Sequence, residues 1–283
     1  MTIVERPRSL ADALDLRSRY ADAVAIAGGT DVMVEVNGGH RRPERLIDLT
    51  GVPELLDWER RDGAVRLGAG VPYARLISEL SGQLPGLAHA ARTLGSPQIR
   101  NRGTIGGNLA TASPAGDALP PLVAVDAVIE VASQRGGRTI GIGDFLLGPK
   151  RTSLAPDELV LAVDIPVARG PQVFSRIGGR SAVTTSIASF ALDIDPSGRV
   201  GAAIGATGPT VMRAPEAEAF LAGALAAGAV DEQVAGRFGE LCAAAAAPVD
   251  DLRGTAAYRR HAIGVLARRA VTWSMAEIDE ADA

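Results

Sequence analysis

Two glycine-rich loops constrain this chain more than any other feature. The first is Ala27-Gly28-Gly29-Thr30-Asp31. The second is Thr104-Ile105-Gly106-Gly107-Asn108, running on through Leu109, Ala110, Ser113, Pro114 and Asp117. Paired glycines let the backbone take positive φ and pass close to a ligand. Successive bare amides in such a turn form a concave nest for an anion. Each loop follows or interrupts an apolar stretch, so each is held at the end of a packed element.

In the first loop Thr30 adds a hydroxyl donor, and Asp31 is placed to cap the next element or to accept from the loop's own amides. Alone, Gly-Gly-Thr-Asp reads equally well as an ordinary tight turn. It lacks the spacing of a dinucleotide-binding Rossmann turn, and the chain has no G-x-x-x-x-G-K-[ST] phosphate loop. The second loop says more. Leu94-Gly95-Ser96-Pro97-Gln98-Ile99-Arg100-Asn101 leads into it, and Gly103, Gly106 and Gly107 let the backbone run close to a phosphate or ribityl chain. Thr104 and Asn108 supply hydroxyl and amide groups for those oxygens. Two nests in one domain suit a pyrophosphate held from both sides, hence a bound dinucleotide.

Composition narrows the chemistry. The 283 residues carry a net charge of −4, which argues against a nucleic-acid partner. No apolar run approaches the roughly 20 residues that span a bilayer. Met1 to Leu10 has no signal-peptide character, so the cytoplasm is the expected compartment. Cys242 is the single cysteine, which excludes an internal disulfide and an iron–sulfur cluster, since a cluster takes about four thiolates. His40, His89 and His261 are the only histidines, too few for a histidine-rich metal site. Any redox chemistry must ride on an organic cofactor. One lysine, Lys150, stands against 28 arginines.

Hydrophobic periodicity predicts a helix over Leu10 to Arg19 with Ser9 as its N-cap, and strands over Ala23 to Ala27, Arg45 to Leu49 and Val65 to Ala69. The Asp62-Gly63 turn gives the last of these a hairpin partner. Val32 to Val36 reads as strand or short helix, Tyr73 to Leu80 and Leu87 to Leu94 as helices, and Val123 to Ala132 and Glu158 to Ile165 as strands. Short strands and helices in mixed order favour α+β over α/β. Pro166 to Pro171 is the candidate linker. Beyond it, Val183 to Asp193 and Arg199 to Ala206 pair around Asp195-Pro196-Ser197-Gly198. Alanine-rich helices follow over Ala214 to Ala227, Asp231 to Ala247 and Thr255 to Glu277, with a fraying acidic end to Ala283. Cys242 reads as a small buried residue, and Tyr73, Trp58 and Trp273 as core or interface groups. The pairs Arg259-Arg260 and Arg268-Arg269 read as solvated helix faces. Arg100-Asn101-Arg102 is left open between a partner surface and phosphate.

Together the two loops, Ser113-Pro114 and Asp117 resemble the FAD-binding (medium) subunit of the molybdenum hydroxylases, the xanthine dehydrogenase and carbon monoxide dehydrogenase flavoprotein family. The resemblance covers nearly the whole chain. Leu159 to Pro166, Phe174 to Arg180 and Asp251-Leu252-Arg253-Gly254-Thr255-Ala256-Ala257-Tyr258-Arg259 follow in family order. The last is similar to the family's Asp-x-Arg-Gly-Ser-Ala-x-Tyr-Arg signature. Within the family the texture looks most like actinobacterial xanthine dehydrogenase-type subunits.

The resemblance implies an α+β architecture. A FAD-binding domain of the vanillyl-alcohol oxidase and p-cresol methylhydroxylase type spans 1–168, in two subdomains split near 55–60. A smaller α+β domain with an antiparallel sheet and helices spans 171–280. It implies that Ala25, Ile26, Ala27, Gly28, Gly29, Thr30, Asp31 and Val32 hold the pyrophosphate and that Leu94 packs near the flavin ring. Thr104, Ile105, Gly106, Gly107, Asn108 and Asp117 would bind phosphate, ribityl and adenosine parts, and Val160 would offer a backbone contact. Arg176 stands where many relatives carry a lysine. It keeps the charge in a planar, longer group. FAD would be non-covalent, since no histidine lies in either loop, and no metal or catalytic side chain is expected on this chain. A large molybdopterin-binding subunit and a small subunit with [2Fe-2S] clusters would complete a heterotrimer, whose electrons pass through FAD to NAD⁺ or another acceptor. The alternatives are a FAD-less scaffold subunit of the same complex and a stand-alone flavin oxidoreductase.

Overall fold

A computed structural model describes residues 2–180 and 183–282. The chain opens with β1 (Ile3–Glu5), α1 (Leu10–Arg19), β2 (Val24–Ile26), α2 (Val32–Asn37) and β3 (Arg45–Asp48). Their strands make a small parallel sheet in the order β1-β3-β2. Parallel neighbours need crossovers; α2 lies between the paired strands β2 and β3, and α1 carries the chain from β1 at one edge to β2 at the other. Ser9 caps α1, its hydroxyl accepting from the Asp12 amide. Val32 to Val36 resolves as helix.

Two short 3₁₀ turns lead to β4 (Trp58–Arg61) and β5 (Ala64–Gly68). Asp62 and Gly63 both take positive φ between them, the backbone of a tight hairpin turn. Five helices follow: α3 (Tyr73–Leu80), α4 (Pro85–Thr93), α5 (Pro97–Arg100), α6 (Ile105–Thr111) and α7 (Leu119–Ala124). Then come β6 (Val128–Ser133), β7 (Gly136–Gly141), α8 (Ile142–Phe145), β8 (Leu146–Gly148), β9 (Arg151–Thr152) and β10 (Leu159–Pro166). The second sheet is antiparallel throughout, ordered β4-β5-β10-β6-β7. Val65, Leu67, Ile129, Val131 and Val163 pack in one core with Leu76, Leu87, Leu109 and Leu122 from the helices.

The remaining chain forms β11 (Gln172–Gly178), β12 (Ser186–Ile194), β13 (Val200–Gly205) and β14 (Met212–Arg213), antiparallel in that order. It closes with α9 (Pro215–Ala226), α10 (Glu232–Ala245) and α11 (Ala256–Asp282). Side chains alternate along a strand, and both faces of this sheet are covered. Ala188, Phe190 and Leu192 pack with Phe238, Ile263 and Leu266, while Phe174, Ala191 and Ala203 join the core of the first part. Cys242 is buried among the former, and burial pushes its thiol pKa up.

Three segments differ from the sequence reading. Val123 to Ala132 is not one strand. Pro120 and Pro121 start α7, the backbone turns at Asp126 with positive φ, and the strand begins at Val128. A fully buried apolar run carries no periodicity to separate the two states. The second glycine loop is the start of a helix, α6, capped by Thr104. The acidic end stays helical through Asp282, and Ala283 lies outside the described residues. Among the described residues no helix is long and apolar enough to cross a membrane.

Candidate functional site

The strand β2 ends at Ile26 and the chain turns through Gly28 and Gly29 into α2. Gly29 has φ +74°, a conformation costly for any other residue. At Gly28 a Cβ would sit 1.9 Å from the carbonyl oxygen of Arg102, so the two glycine loops touch backbone to backbone. The amides of Gly28, Gly29, Thr30, Asp31 and Val32 have no backbone or side-chain acceptor among the described residues. Asp31 neither caps α2 with its side chain nor binds its own loop; its carboxylate accepts from the Thr111 hydroxyl at 3.4 Å.

The second loop is built differently. The Gly106 amide donates to the Ala69 carbonyl at 3.0 Å, and the Gly107 amide donates to the Thr104 hydroxyl at 3.1 Å. A Cβ on Gly106 would lie 2.5 Å from that of Ala69. These glycines serve to seat α6 against β5, and their amides are spent inside the protein. The continuous row of amides without an acceptor belongs to the first loop.

Between the loops lies a cavity of about 500 Å³, within the usual range for cofactor sites. Ala25, Ile26, Ala27, Gly28, Gly29, Thr30, Asp31, Val32, Thr104, Gly106, Gly107, Asn108 and Val160 all line it. Ile105 does not; its side chain is fully buried in the main core. Leu94, Asp117 and Arg176 do not line it either. Arg176 and Thr93, the neighbour of Leu94, line a second, more open cavity of about 590 Å³ beside β11. There Arg176 pairs with Asp117 at 3.3 Å, both side chains buried, and donates to the carbonyls of Thr93 and Thr184 and to Ser186. Burial raises the Asp117 pKa, while the Ser186 hydroxyl and the Arg176 charge oppose that rise.

Some features of the cavity were not legible in the sequence. Tyr73, read as core, is buried with a hydroxyl that has no partner. Burial, and then the charges of Asp31 and Asp117, push its pKa up, so it stands within electrostatic reach of acids from both groups. The Asn108 Oδ1 is likewise buried and unpaired. At the solvent edge Lys150 on the β8–β9 turn pairs with Glu35 of α2 at 2.7 Å, and the Lys150 bond lowers the Glu35 pKa. Lys150 is the one lysine of the chain, a compositional oddity that could have singled it out. None of the arginine pairs faces the glycine nest. Arg100 donates to the Leu94 and Gly95 carbonyls, Arg268 pairs with Glu232, and Arg259 is buried against Ala206 and Asp251. The last corrects the solvated reading of Arg259.

A cavity of this size, lined by a row of amides without protein acceptors and by hydroxyl and amide side chains, fits a ligand that is polar at several points and carries an anion. Residues 1–168 match the family described as the FAD binding domain in molybdopterin dehydrogenase, and residues 176–274 match the carbon monoxide dehydrogenase flavoprotein C-terminal domain. The chain belongs to the flavoprotein family of the molybdopterin dehydrogenases. Within that family it is 34% identical to the nicotine 6-hydroxylase medium subunit of Paenarthrobacter nicotinovorans, over 94% of both chains. It is 29% identical to the xanthine dehydrogenase FAD-binding subunit of Escherichia coli O157:H7, over 96% of this chain and 95% of the other. Its structure superimposes on carbon monoxide dehydrogenase from Hydrogenophaga pseudoflava, in a form lacking the Mo-pyranopterin moiety. The TM-score is 0.90 at 29% identity over 98% of each chain. The family's cofactor is FAD, and the unspent amides of Gly28 to Val32 and the cavity they line suit it.

Proposed function

We propose that this chain is the FAD-carrying electron-transfer subunit of a multi-subunit molybdopterin hydroxylase. The observation that carries the reading is the row of unspent amides from Gly28 to Val32 on a cavity that Tyr73, Thr104 and Asn108 also line. The diphosphate would lie on those amides, an arrangement of backbone dipoles suited to a dianion. Thr30, Thr104 and Asn108 would hold neighbouring oxygens, and Val160 would offer backbone. Leu94, Asp117 and Arg176 would form the flavin-ring end at the second cavity, where Arg176 is held in place by Asp117 and three further acceptors. Bound there, FAD supplies a redox centre that can be filled and emptied one electron at a time. The protein groups bind and orient it, and Arg176 places a fixed positive charge at that end.

The electron donor in this reading is a small [2Fe-2S] subunit and the substrate is oxidised on a large molybdopterin subunit. NAD⁺ is the acceptor and a xanthine-type purine the substrate. Full-length alignment with a xanthine dehydrogenase FAD-binding subunit supports the purine reading, and the higher identity to a nicotine 6-hydroxylase medium subunit supports another nitrogen heterocycle. Purification with co-expressed partner subunits tests the whole. The expected result is FAD near one per chain, bleached by substrate and recoloured by NAD⁺. A complex that holds flavin but answers to nicotine and not xanthine selects the second substrate. A chain that holds no flavin in any preparation removes the electron-transfer role.

A further inference from the structure

The first glycine loop opens into a segment that the rest of the fold holds only lightly. Residues 31–42 bury no side chain, and Val34 of α2 is 69% exposed. Among the described residues, the backbone hydrogen bonds of this segment stay within 29–41. Glycine turns bracket α2. Gly29 and Gly39 both have φ +74°, and a Cβ on Gly39 would meet open space. A segment with few buried apolar contacts opens at a lower free-energy cost than the fold as a whole.

Yet Asp31, Val32, Glu35 and Arg41 line the main cavity, so this segment is one of its walls. Two side-chain bonds tie it to other walls. Thr111 of α6 donates to Asp31 at 3.4 Å, and Lys150 of the β8–β9 turn donates to Glu35 at 2.7 Å. The first is long and weak. Arg41 lies 3.5 Å from the Glu35 carboxylate but belongs to the segment itself, so it ties nothing across. The far side of the stronger tie is fixed. The Lys150 amide donates to the Ala112 carbonyl, and the Ser153 amide to the carbonyl of Phe145, which is fully buried. A lightly held wall and an anchored one thus meet at one short ion pair on the solvent edge of the cavity. An exposed pair of this kind favours closure only modestly, so it breaks readily.

We propose that residues 31–42 form a flap over the main cavity, latched by the Glu35–Lys150 pair, and that the dinucleotide enters and leaves when the flap swings away. The inference rests on the FAD reading above. The amides of Asp31 and Val32 belong to the flap, so opening lifts part of the anion nest off the diphosphate and clears the way out in one motion. Lys150 acts on the flap and not on the ligand. Breaking the latch therefore speeds uptake and release alike and leaves the affinity where it was. Removing a lysine that touched the diphosphate would instead speed release alone and weaken binding.

The test is stopped-flow flavin fluorescence of FAD uptake and release by the full-length chain. The proteins compared are the wild type, Lys150→Ala, Lys150→Glu, and the swapped pair Glu35→Lys with Lys150→Glu. Lys150→Ala is expected to raise both rates about two- to fivefold, the span of an exposed ion pair, with Kd unchanged. Lys150→Glu alone should raise them further, and the swapped pair should bring both back towards the wild type. A release rate that rises alone, with weaker binding that the swap does not rescue, assigns Lys150 to the ligand and overturns the latch. Amide hydrogen exchange of the flavin-free chain reads the flap without the cofactor. The amides of 33–41 should exchange by local opening, and faster in Lys150→Ala than in the wild type. Exchange there as slow as in the buried strands, or indifferent to Lys150→Ala, overturns the proposal. A wild-type chain that takes up no FAD fails the cofactor reading, while exchange still decides whether the flap and its latch exist.

Discussion

Gly28 and Gly107 occupy similar motifs and answer to different constraints. A methyl on Gly28 would meet the Arg102 carbonyl at 1.9 Å, backbone that has nowhere to go. Gly28→Ala should cost about 1–3 kcal/mol through forced separation of the loops, and flavin uptake should fall with it. A methyl on Gly107 meets only the Thr104 hydroxyl, at 3.2 Å, and the residue lies within α6. The gain in helix propensity, about 0.5–1 kcal/mol, offsets that contact, so Gly107→Ala should keep the thermal midpoint near that of the wild type. Paired thermal melts and flavin-to-protein absorbance ratios check both. The buried ion pair makes a sharper case. Asp117→Ala leaves the Arg176 guanidinium buried beside the remaining carbonyls, and removing one partner of such a pair costs about 3–5 kcal/mol. Urea denaturation of the flavin-free chain reads it, and an unchanged midpoint would show that water replaces the carboxylate.

At the scale of elements, the turn from Ser153 to Glu158 forms a wall of the cavity and hangs on one side chain. Glu158 is buried, pairs bidentately with Arg138 of β7 and accepts from the Ala155 amide. The Arg138 bond holds its carboxyl below the usual range, although burial opposes this. The folded value lies under the unfolded one, so the carboxylate contributes stability above the ordinary glutamate value of about 4.3, and that contribution is lost as pH falls through the folded value. Glu158→Gln should therefore cost about 1–2 kcal/mol near neutrality, given that Arg138 is half exposed. The gap between variant and wild type should close in acid. Thermal midpoints of the two proteins across pH 3 to 7 measure it, and a gap independent of pH would assign the effect to packing.

Across the whole molecule, the two parts of the chain share a core. Phe174, Ala191, Ala203 and Val211 from the second part are buried with Leu87, Leu122 and Val123 from the first. A Cβ on Gly201 of β13 would fall 1.9 Å from the Ala124 carbonyl, so α7 lies directly on the second sheet. Arg199 and Arg213 then cap the end of α7, donating to the Ala124 and Val123 carbonyls and pairing with Asp126. Neither part can leave without exposing the other's apolar face. Urea unfolding of the flavin-free chain should be a single transition, with intrinsic fluorescence and circular dichroism coincident. Two separated transitions would mean that each part is stable alone.

The first helix with its Ser9 cap, several of the strands, the hairpin at Asp62-Gly63 and the family were legible in the sequence, because each rests on local periodicity, turn chemistry or a contiguous motif; α6 and α7, set in a glycine-rich stretch and a fully buried apolar run, were not. The presence of two glycine loops was legible too. Which of them keeps its amides free was not, because that depends on Ala69 and Thr104 reaching Gly106 and Gly107 after folding. The same holds for Tyr73 and Glu158, whose surroundings come from what burial leaves paired or unpaired around them. The sequence by itself determined many of the elements and the kind of ligand. Only the tertiary structure decided which polar groups are satisfied internally and which are left facing the cavity, since hydrogen-bond partners distant in the chain are chosen by packing.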